Sequence, residues 1–359
     1  MPNLLEPLAF QRGPAMSNRL MLAPLTNTQS HDDGTLSDEE FRWLTMRAEG
    51  GFGLTMTCAS HVQAQGRGFP GQLGIWSDAH IPGLTRLAAT IKRHGSLAMA
   101  QLHHAGMRSP AELIGQQPVC PSDNSEKGAR ALTAAEVEQL VEDFVLAALR
   151  AERAGFDGVE LHGAHGYVLA QFLSAGINHR GDRYGGSLEN RMRILFDILH
   201  GIRTRCRPDF TVGVRLSPER FDLRLAEMAV VARELMASGL IDFLDLSLWD
   251  VFKEPEEPEF KGRSLMSYFT GLERGKVRVG VAGRISSGPD ARHCLDAGAD
   301  FAIIGRAAIL HHDFPQRVRT DPGFKAVGLP VTADYLASEG LSPPFIRYMG
   351  NWKGFVAAA

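Results

Sequence analysis

Eight short, largely apolar runs recur along the 359-residue chain. They are "RLMLA" (19–23), "FGLTMTC" (52–58), "LAMAQL" (97–102), "GVELHG" (158–163), "TVGVRL" (211–216), "FLDLSL" (243–248), "VRVGVAG" (277–283) and "FAIIG" (301–305). Their apolar content is nearly continuous, as expected of parallel strands buried on both faces, and helical periodicity separates them in most intervals. The clearest helix covers 134–154: Thr133 stands as its cap, Glu136 follows three positions later, and Gly155 lies just past its end. A second covers 188–205. Eight β/α units in order predict an α/β chain folded as a (β/α)8 TIM barrel, which needs about 250 residues and leaves roughly a hundred for long βα loops and the two ends. One domain over 1–359 is therefore expected, with the barrel at about 18–325 and a C-terminal extension at 326–359.

The long intervals 104–132 and 249–275 follow the third and sixth runs, which places them on the catalytic face as lids or substrate walls. The tail contains "LSPPFIRYMGNWKGF", with four aromatics and few acids. Such a segment is expected to pack on the barrel or on a neighbouring subunit.

A formal net charge of -3, with both signs interspersed, gives no basic surplus to hold a nucleic-acid backbone. The four cysteines, Cys58, Cys120, Cys206 and Cys294, are far apart with no C-x-x-C, so neither a disulfide framework nor a metal or iron-sulfur cluster is expected. The N-terminus "MPNLLEPLAFQRG" lacks a basic segment followed by a long apolar one, and no stretch of about 18 uninterrupted apolar residues occurs. A soluble, cytoplasmic protein is the expectation.

In a TIM barrel the chemistry sits at the C-terminal ends of the strands. The first run delivers Thr26 through "APLT", the second Cys58 and Ala59, the third Gln101, the fourth His162 and His165, and the fifth Arg215. The seventh ends in Gly283-Arg284 and the eighth in Gly305-Arg306. Glycines there free backbone N–H groups to approach phosphate oxygens, so a phosphate-bearing ligand is expected, although each could be no more than a tight turn. Arg215 in an apolar strand must have a partner, either a structural ion pair or an anionic ligand. Gln101 needs one too, from the backbone or from the edge of a heteroaromatic ligand. Cys58 reads as a small core residue. His162 and His165 as metal ligands would need a third ligand that the spacing does not supply, so no metal is expected. They read instead as paired donors to one substrate oxygen, or as strand-end histidines without chemistry. Tyr167, two residues on, is a neutral acid at pH 7, able to protonate a carbanionic carbon or simply to pack on its loop.

The segment "VELHGAHGYVLAQFLSAGINHRGDRYGGSLENRMR" at 159–193 resembles the hallmark stretch of the old yellow enzyme family of flavin-dependent ene-reductases. "NRLMLAPLTN" (18–27), "GIWSD" (74–78), "QLHHAG" (101–106), "VGVRLSP" (212–218), "VAGRI" (281–285) and "IIGRA" (303–307) extend the likeness over about 18–307. The resemblance implies an FMN-bearing barrel, reduced by NADPH or NADH, that passes hydride to the β-carbon of an activated alkene. By position it implies that Ala23, Pro24, Leu25 and Thr26 line the flavin edge, and that Ala59 and Gln101 contact its ring. Arg215 corresponds to the arginine at the flavin N1–C2 edge, and Gly283, Arg284, Gly305 and Arg306 to the phosphate site. His162 and His165 correspond to the pair that holds the substrate oxygen, with His162 also beside the cofactor, and Tyr167 to the proton donor. Threonine stands at position 26, where some relatives carry a redox-tuning cysteine, and Thr28 where some carry tyrosine; His103 occupies a variable position that shapes the pocket. A homo-oligomer is expected, with Arg347 or Tyr348 reaching a neighbour's site. Two other readings compete. A flavin-free lyase or isomerase acting on a phosphorylated substrate would want a strand-end lysine or acid pair, and no run ends in lysine. A barrel that holds flavin without turnover has no need of a positioned acid such as Tyr167.

Overall fold

The computed structural model describes residues 3–358. Eight parallel strands close a barrel: β1 (Leu20–Leu22), β2 (Leu54–His61), β3 (Leu97–His103), β4 (Gly158–Gly163), β5 (Thr211–Leu216), β6 (Phe243–Ser247), β7 (Arg278–Ala282) and β8 (Phe301–Ile304). Each pairs with its sequence neighbour, and β1 pairs with β8 to complete the circle. The expected TIM barrel is therefore the fold, with every run in its place. β2 and β3 run further than their apolar stretches, through His61 and His103. Sequence patterning missed these ends because their inward residues turn polar.

Helices α1 (Asp38–Glu49), α2 (Ile81–Arg93), α3 (Ala134–Arg153), α4 (Leu188–Arg205), α5 (Leu225–Ala237), α6 (Gly288–Asp296) and α7 (Phe314–Thr320) cover the outside. The Thr133–Glu136 capping box forms as the sequence suggests, and Arg130 adds a two-pronged contact to Glu136. The sixth unit departs from the expected pattern. Its helix is a single turn, Ser267–Thr270, because "EPEEPEFKGR" offers prolines and charges rather than an apolar stripe. In 104–132 the two pairs Val119–Cys120 and Arg130–Ala131 form a small separate ladder.

The bottom of the barrel is sealed by an apolar plug that includes Met21, Met56, Met99, Phe243, Phe301 and Ile303. The N-terminal segment belongs to it, since Leu8 bridges Met16 and both pack beneath the barrel with Phe10. Two glycines make the plug possible. A Cβ on Gly213 would stand 2.1 Å from the Phe243 ring, and one on Gly280 2.2 Å from Phe301, so each aromatic fills the space its neighbour leaves.

β2 carries one extra residue between Met56 and Ala59 relative to β3. This bulge reverses the strand's inward phase. Ala59 and His61 therefore pair with Gln101 and His103, while Cys58 contacts Glu40 of α1. The tail helices α8 (Ala333–Ser338) and α9 (Pro343–Gly350) pack on their own barrel through Leu336 and Phe345, the latter 5.4 Å from Trp43.

Candidate active site

Above the plug, the residues that face inward turn polar. Register puts Gln101 beside Glu160, His162 beside Arg215, and Arg215 beside Asp245, on β3, β4, β5 and β6. The Gln101 amide donates to Glu160 Oε1 at 2.7 Å, and Arg215 Nε lies 3.1 Å from Asp245 Oδ2. Asp245 gives the buried Arg215 guanidinium a counter-ion within the protein. Gln101 likewise finds a side-chain partner, in Glu160.

A line of hydrogen bonds leads outward from this layer. Arg215 Nη2 donates to Ser247 Oγ at 3.5 Å, His165 Nε2 meets the same oxygen at 2.7 Å, and His162 Nε2 faces His165 Nδ1 at 3.0 Å. His103 Nδ1 closes the line at 3.0 Å from His162 Nδ1. Burial holds His103, His162 and His165 well below the usual histidine range, reinforced by neighbouring rings, Arg215 and Arg108, so all three are neutral at pH 7. A neutral imidazole has one N–H. The contact between His162 and His165 therefore contains one proton when no ligand separates the rings. His165 adopts φ 59° and its N–H is held by Ser217 Oγ at 2.9 Å.

Tyr167 stands edge-on to His103 and His162, at ring separations of 4.3 and 5.0 Å. Burial raises its pKa, partly offset by the Arg108 charge. Arg108 lies 5.0 Å over the Tyr167 ring and donates to the His165 carbonyl at 2.6 Å. Beside them a cavity of about 860 Å³ opens between Arg108, Lys127, Gly166, Ile177 and Phe221. Its wall is strained: Arg220, Phe221 and Asp222 adopt φ of 71, 55 and 58°, three successive non-glycine residues in the left-handed region.

Ala23 is buried and Pro24, Leu25 and Thr26 are half-buried at the end of β1, and Ala59 lies buried across from them with its carbonyl accepting from Gln72. Thr28, at φ 55°, lines a second cavity of about 410 Å³ with Arg347 and Tyr348 of the same chain. No second copy is needed to bring those two residues to this end. The expected phosphate residues divide. A Cβ on Gly305 would meet nothing nearer than Leu25 Cδ2 at 3.8 Å, and Arg306 is exposed beside it. Gly283, at φ 152°, is instead pressed against the backbone of Trp249 and Asp250, and Arg284 pairs with Asp250 at 3.1 Å. Its glycine therefore serves chain packing, and Arg284 must leave Asp250 to meet an anion. Among the described residues no group of three or more His, Cys, Asp or Glu is placed to hold a metal.

The sequence reading missed Glu160, Asp245, Ser247 and Arg108. A signal was present for the first three: polar residues fall at every second position of otherwise apolar strands, as in "DLS" at 245–247 and "ELH" at 160–162.

A closed (β/α)8 barrel whose open end gathers an amide, a guanidinium and a glycine with open space beside it is a scaffold able to take up a phosphate-bearing cofactor. Gln101 and Arg215 are polar donors and Gly305 leaves open space, a set whose chemistry suits a flavin ring edge and a phosphate. Residues 3–322 match the NADH:flavin oxidoreductase / NADH oxidase family, and the chain belongs to it, as a member of the old yellow enzyme type. It is 36% identical over 327 residues to "Probable NADH-dependent flavin oxidoreductase YqiG" of Bacillus subtilis, covering 88% of this chain and 87% of that one. It is 35% identical to an NADPH dehydrogenase of Halalkalibacterium halodurans, over 87% and 93% of the two chains. The solved old yellow enzyme homologue from Zymomonas mobilis superposes with a TM-score of 0.81 at 28% identity, over 97% and 99%. The protein is an NAD(P)H-dependent flavin oxidoreductase with FMN as its cofactor.

Proposed function

We propose that the chain reduces the C=C bond of α,β-unsaturated carbonyl or nitro compounds at the expense of NADH or NADPH. The observation that carries this reading is a phenol, Tyr167, set against the bonded His162–His165 pair at the open end of the barrel. Bound FMN supplies hydride transfer. Gln101 and Arg215 are the side chains that would hold its ring edge, with Ala23, Pro24, Leu25, Thr26 and Ala59 along its border and Gly283, Arg284, Gly305 and Arg306 toward its phosphate.

A substrate oxygen arriving at the histidine pair takes the one N–H that the rings share and so breaks their mutual bond. Two donors need both facing nitrogens protonated: Ser247 donating to His165 Nε2 puts that ring's proton on Nδ1, and His103 donating to His162 Nδ1 puts the other on Nε2. Donors aimed at an oxygen that gains negative charge as the alkene accepts hydride stabilise the transition state more than the ground state. Because its pKa is raised, Tyr167 keeps its proton at neutral pH and can deliver it to the α-carbon. His103 and Thr28 shape the pocket, and the cavity by Arg108 and Phe221 accepts the rest of the substrate.

Titration of the yellow holoprotein with a phenol tests the oxygen clamp. A phenolate bound over the flavin should perturb the visible spectrum, and His162→Ala or His165→Ala should each weaken that binding by at least about tenfold, the scale of one lost charge-assisted hydrogen bond. Unchanged affinity in both variants would show that the pair is structural. A purified protein that is colourless and takes up no FMN would remove the reading altogether.

A further inference from the structure

Two acids and one base share the dry middle of the polar layer. Glu160 and Asp245 are 0% exposed and Arg215 is 5% exposed. To four carboxyl oxygens the surrounding side chains offer one amide N–H, from Gln101, and one guanidinium edge, from Arg215. Glu160 Oε2 has no donor from the described residues. The charge of Asp245 is near enough to raise Glu160, and neither oxygen of Asp245 has a hydrogen-bond donor among the described residues either. Ionised carboxylates are acceptors only, so oxygens left without donors in a buried cluster call for a proton.

We propose that Glu160 and Asp245 hold one proton between them, with Glu160 the donor, and that the pair acts as a single negative charge that positions Arg215 for the cofactor. Charge accounting gives the reason. Both acids ionised, with one arginine, would leave a net negative charge buried below the place where the cofactor gains electrons. Both protonated would leave the guanidinium buried and unmatched. One proton makes the cluster neutral. Asp245 then stands 3.1 Å from Arg215 Nε as its counter-ion, Ser247 takes Nη2, and Nε itself is without an aligned hydrogen bond among the described residues. Glu160 is the natural proton holder because Asp245 has the guanidinium and Glu160 only an amide. Burial and the charge of Asp245 both push Glu160 far above the usual carboxylate range, against the pull of Arg215 and Gln101. Burial also raises Asp245, to about 6, with Arg215 opposing. The other titratable groups near the cluster, His162 on β4 and His165 on the loop after it, are neutral, and β7 presents Gly280 opposite Asp245.

The consequence for the cofactor rests on FMN binding at this end of the barrel, but the proton itself does not. Infrared spectra of the apoprotein at neutral pH therefore come first. The wild type should show the carbonyl band of a buried, protonated carboxylic acid, absent in Glu160→Gln. Glutamine keeps the shape and charge of the protonated acid, so Glu160→Gln should melt as the wild type does and bind FMN within about threefold of it. Asp245→Asn should also lose the band, since Glu160 then ionises as the only counter-ion of Arg215. That variant should bind FMN at least about tenfold more weakly, because the counter-ion beside Nε is gone. A wild type without the band, or a band that survives in Glu160→Gln, overturns the shared proton. Equal loss of FMN affinity in both variants overturns the positioning role. A wild type that has the band and binds no FMN defeats the cofactor reading while leaving the proton in place.

Discussion

Phe243 and Asp245 lie two residues apart on β6, both point into the same barrel, and both are fully buried. Phe243 belongs to the plug and Asp245 to the polar layer. The same step is taken between Met99 and Gln101 on β3. Along β5 it runs from Gly213, which makes room for Phe243, to Arg215. One period of each strand separates a region that needs only shape from one that needs every hydrogen placed. In the lower layer the stabilising terms are dispersion and removal of apolar surface from water, and any substitution is felt as volume. In the upper layer buried polar groups cost stability unless matched, and their arrangement serves chemistry.

The contrast can be broken by showing that a change in one layer has the other layer's effect. The largest expected effect is on rate. Tyr167→Phe should leave flavin reduction by NAD(P)H and the melting temperature nearly unchanged while slowing enone reduction by about 10² to 10⁴. Rapid-mixing measurement of the two half-reactions checks it, and equal slowing of both would reject Tyr167 as the acid. Next comes Phe243→Ala in the plug, expected to cost about 3–5 kcal/mol in denaturant unfolding while holoenzyme turnover below the transition stays within a small factor. A large loss of turnover there would mean that the two layers are coupled.

Acid should act on the upper layer on a scale comparable to that of the plug substitution. Burial lowers His61 to about 4 and His104 to about 3. Unfolded, both rings titrate near 6.5, so the unfolded chain binds more protons between these values. Their contribution to stability is complete above about pH 6.5 and is lost as pH falls toward 4 and then 3, by about 1.4 kcal/mol per pH unit for each ring. Unfolding free energy measured from pH 7 to 4 should steepen accordingly, and His61→Gln should flatten it. The smallest change concerns the strained wall. Asp222→Gly should stabilise the protein by about 0.5–1 kcal/mol, since glycine adopts the left-handed region without penalty. A destabilised variant would show that the Asp222 side chain earns its conformation.

The sequence is most informative where one layer demands one kind of residue. Eight apolar runs announce the strands and the plug, and the Thr133–Glu136 pattern announces α3. The polar layer was half legible. Arg215 and Gln101 stood out as polar residues in apolar strands, yet Asp245 and Glu160, which complete them, were passed over although they obey the same period. The bulge in β2 left no mark, because "TMTCASH" contains no glycine or proline to flag an extra residue. Nor could residue types reveal that His162 and His165 bond to one another, since that depends on ring orientation.

The same bulge decides the fate of a thiol. An activated alkene is a Michael acceptor, and an enzyme that handles such compounds risks alkylating itself through any thiolate within reach. With its phase reversed, β2 shows the barrel mouth the methyl group of Ala59 and turns Cys58 toward the Glu40 carboxyl, where burial and that neighbouring charge hold the thiol well above its usual pKa. Cys120, Cys206 and Cys294 are buried as well, with pKa values pushed to about 11, 12 and 12, burial being the main cause. Prolonged exposure of the native protein to an enone should therefore leave its intact mass unchanged, with adducts appearing only after unfolding. One inserted residue thus keeps the thiol of Cys58 away from anything bound at the barrel mouth.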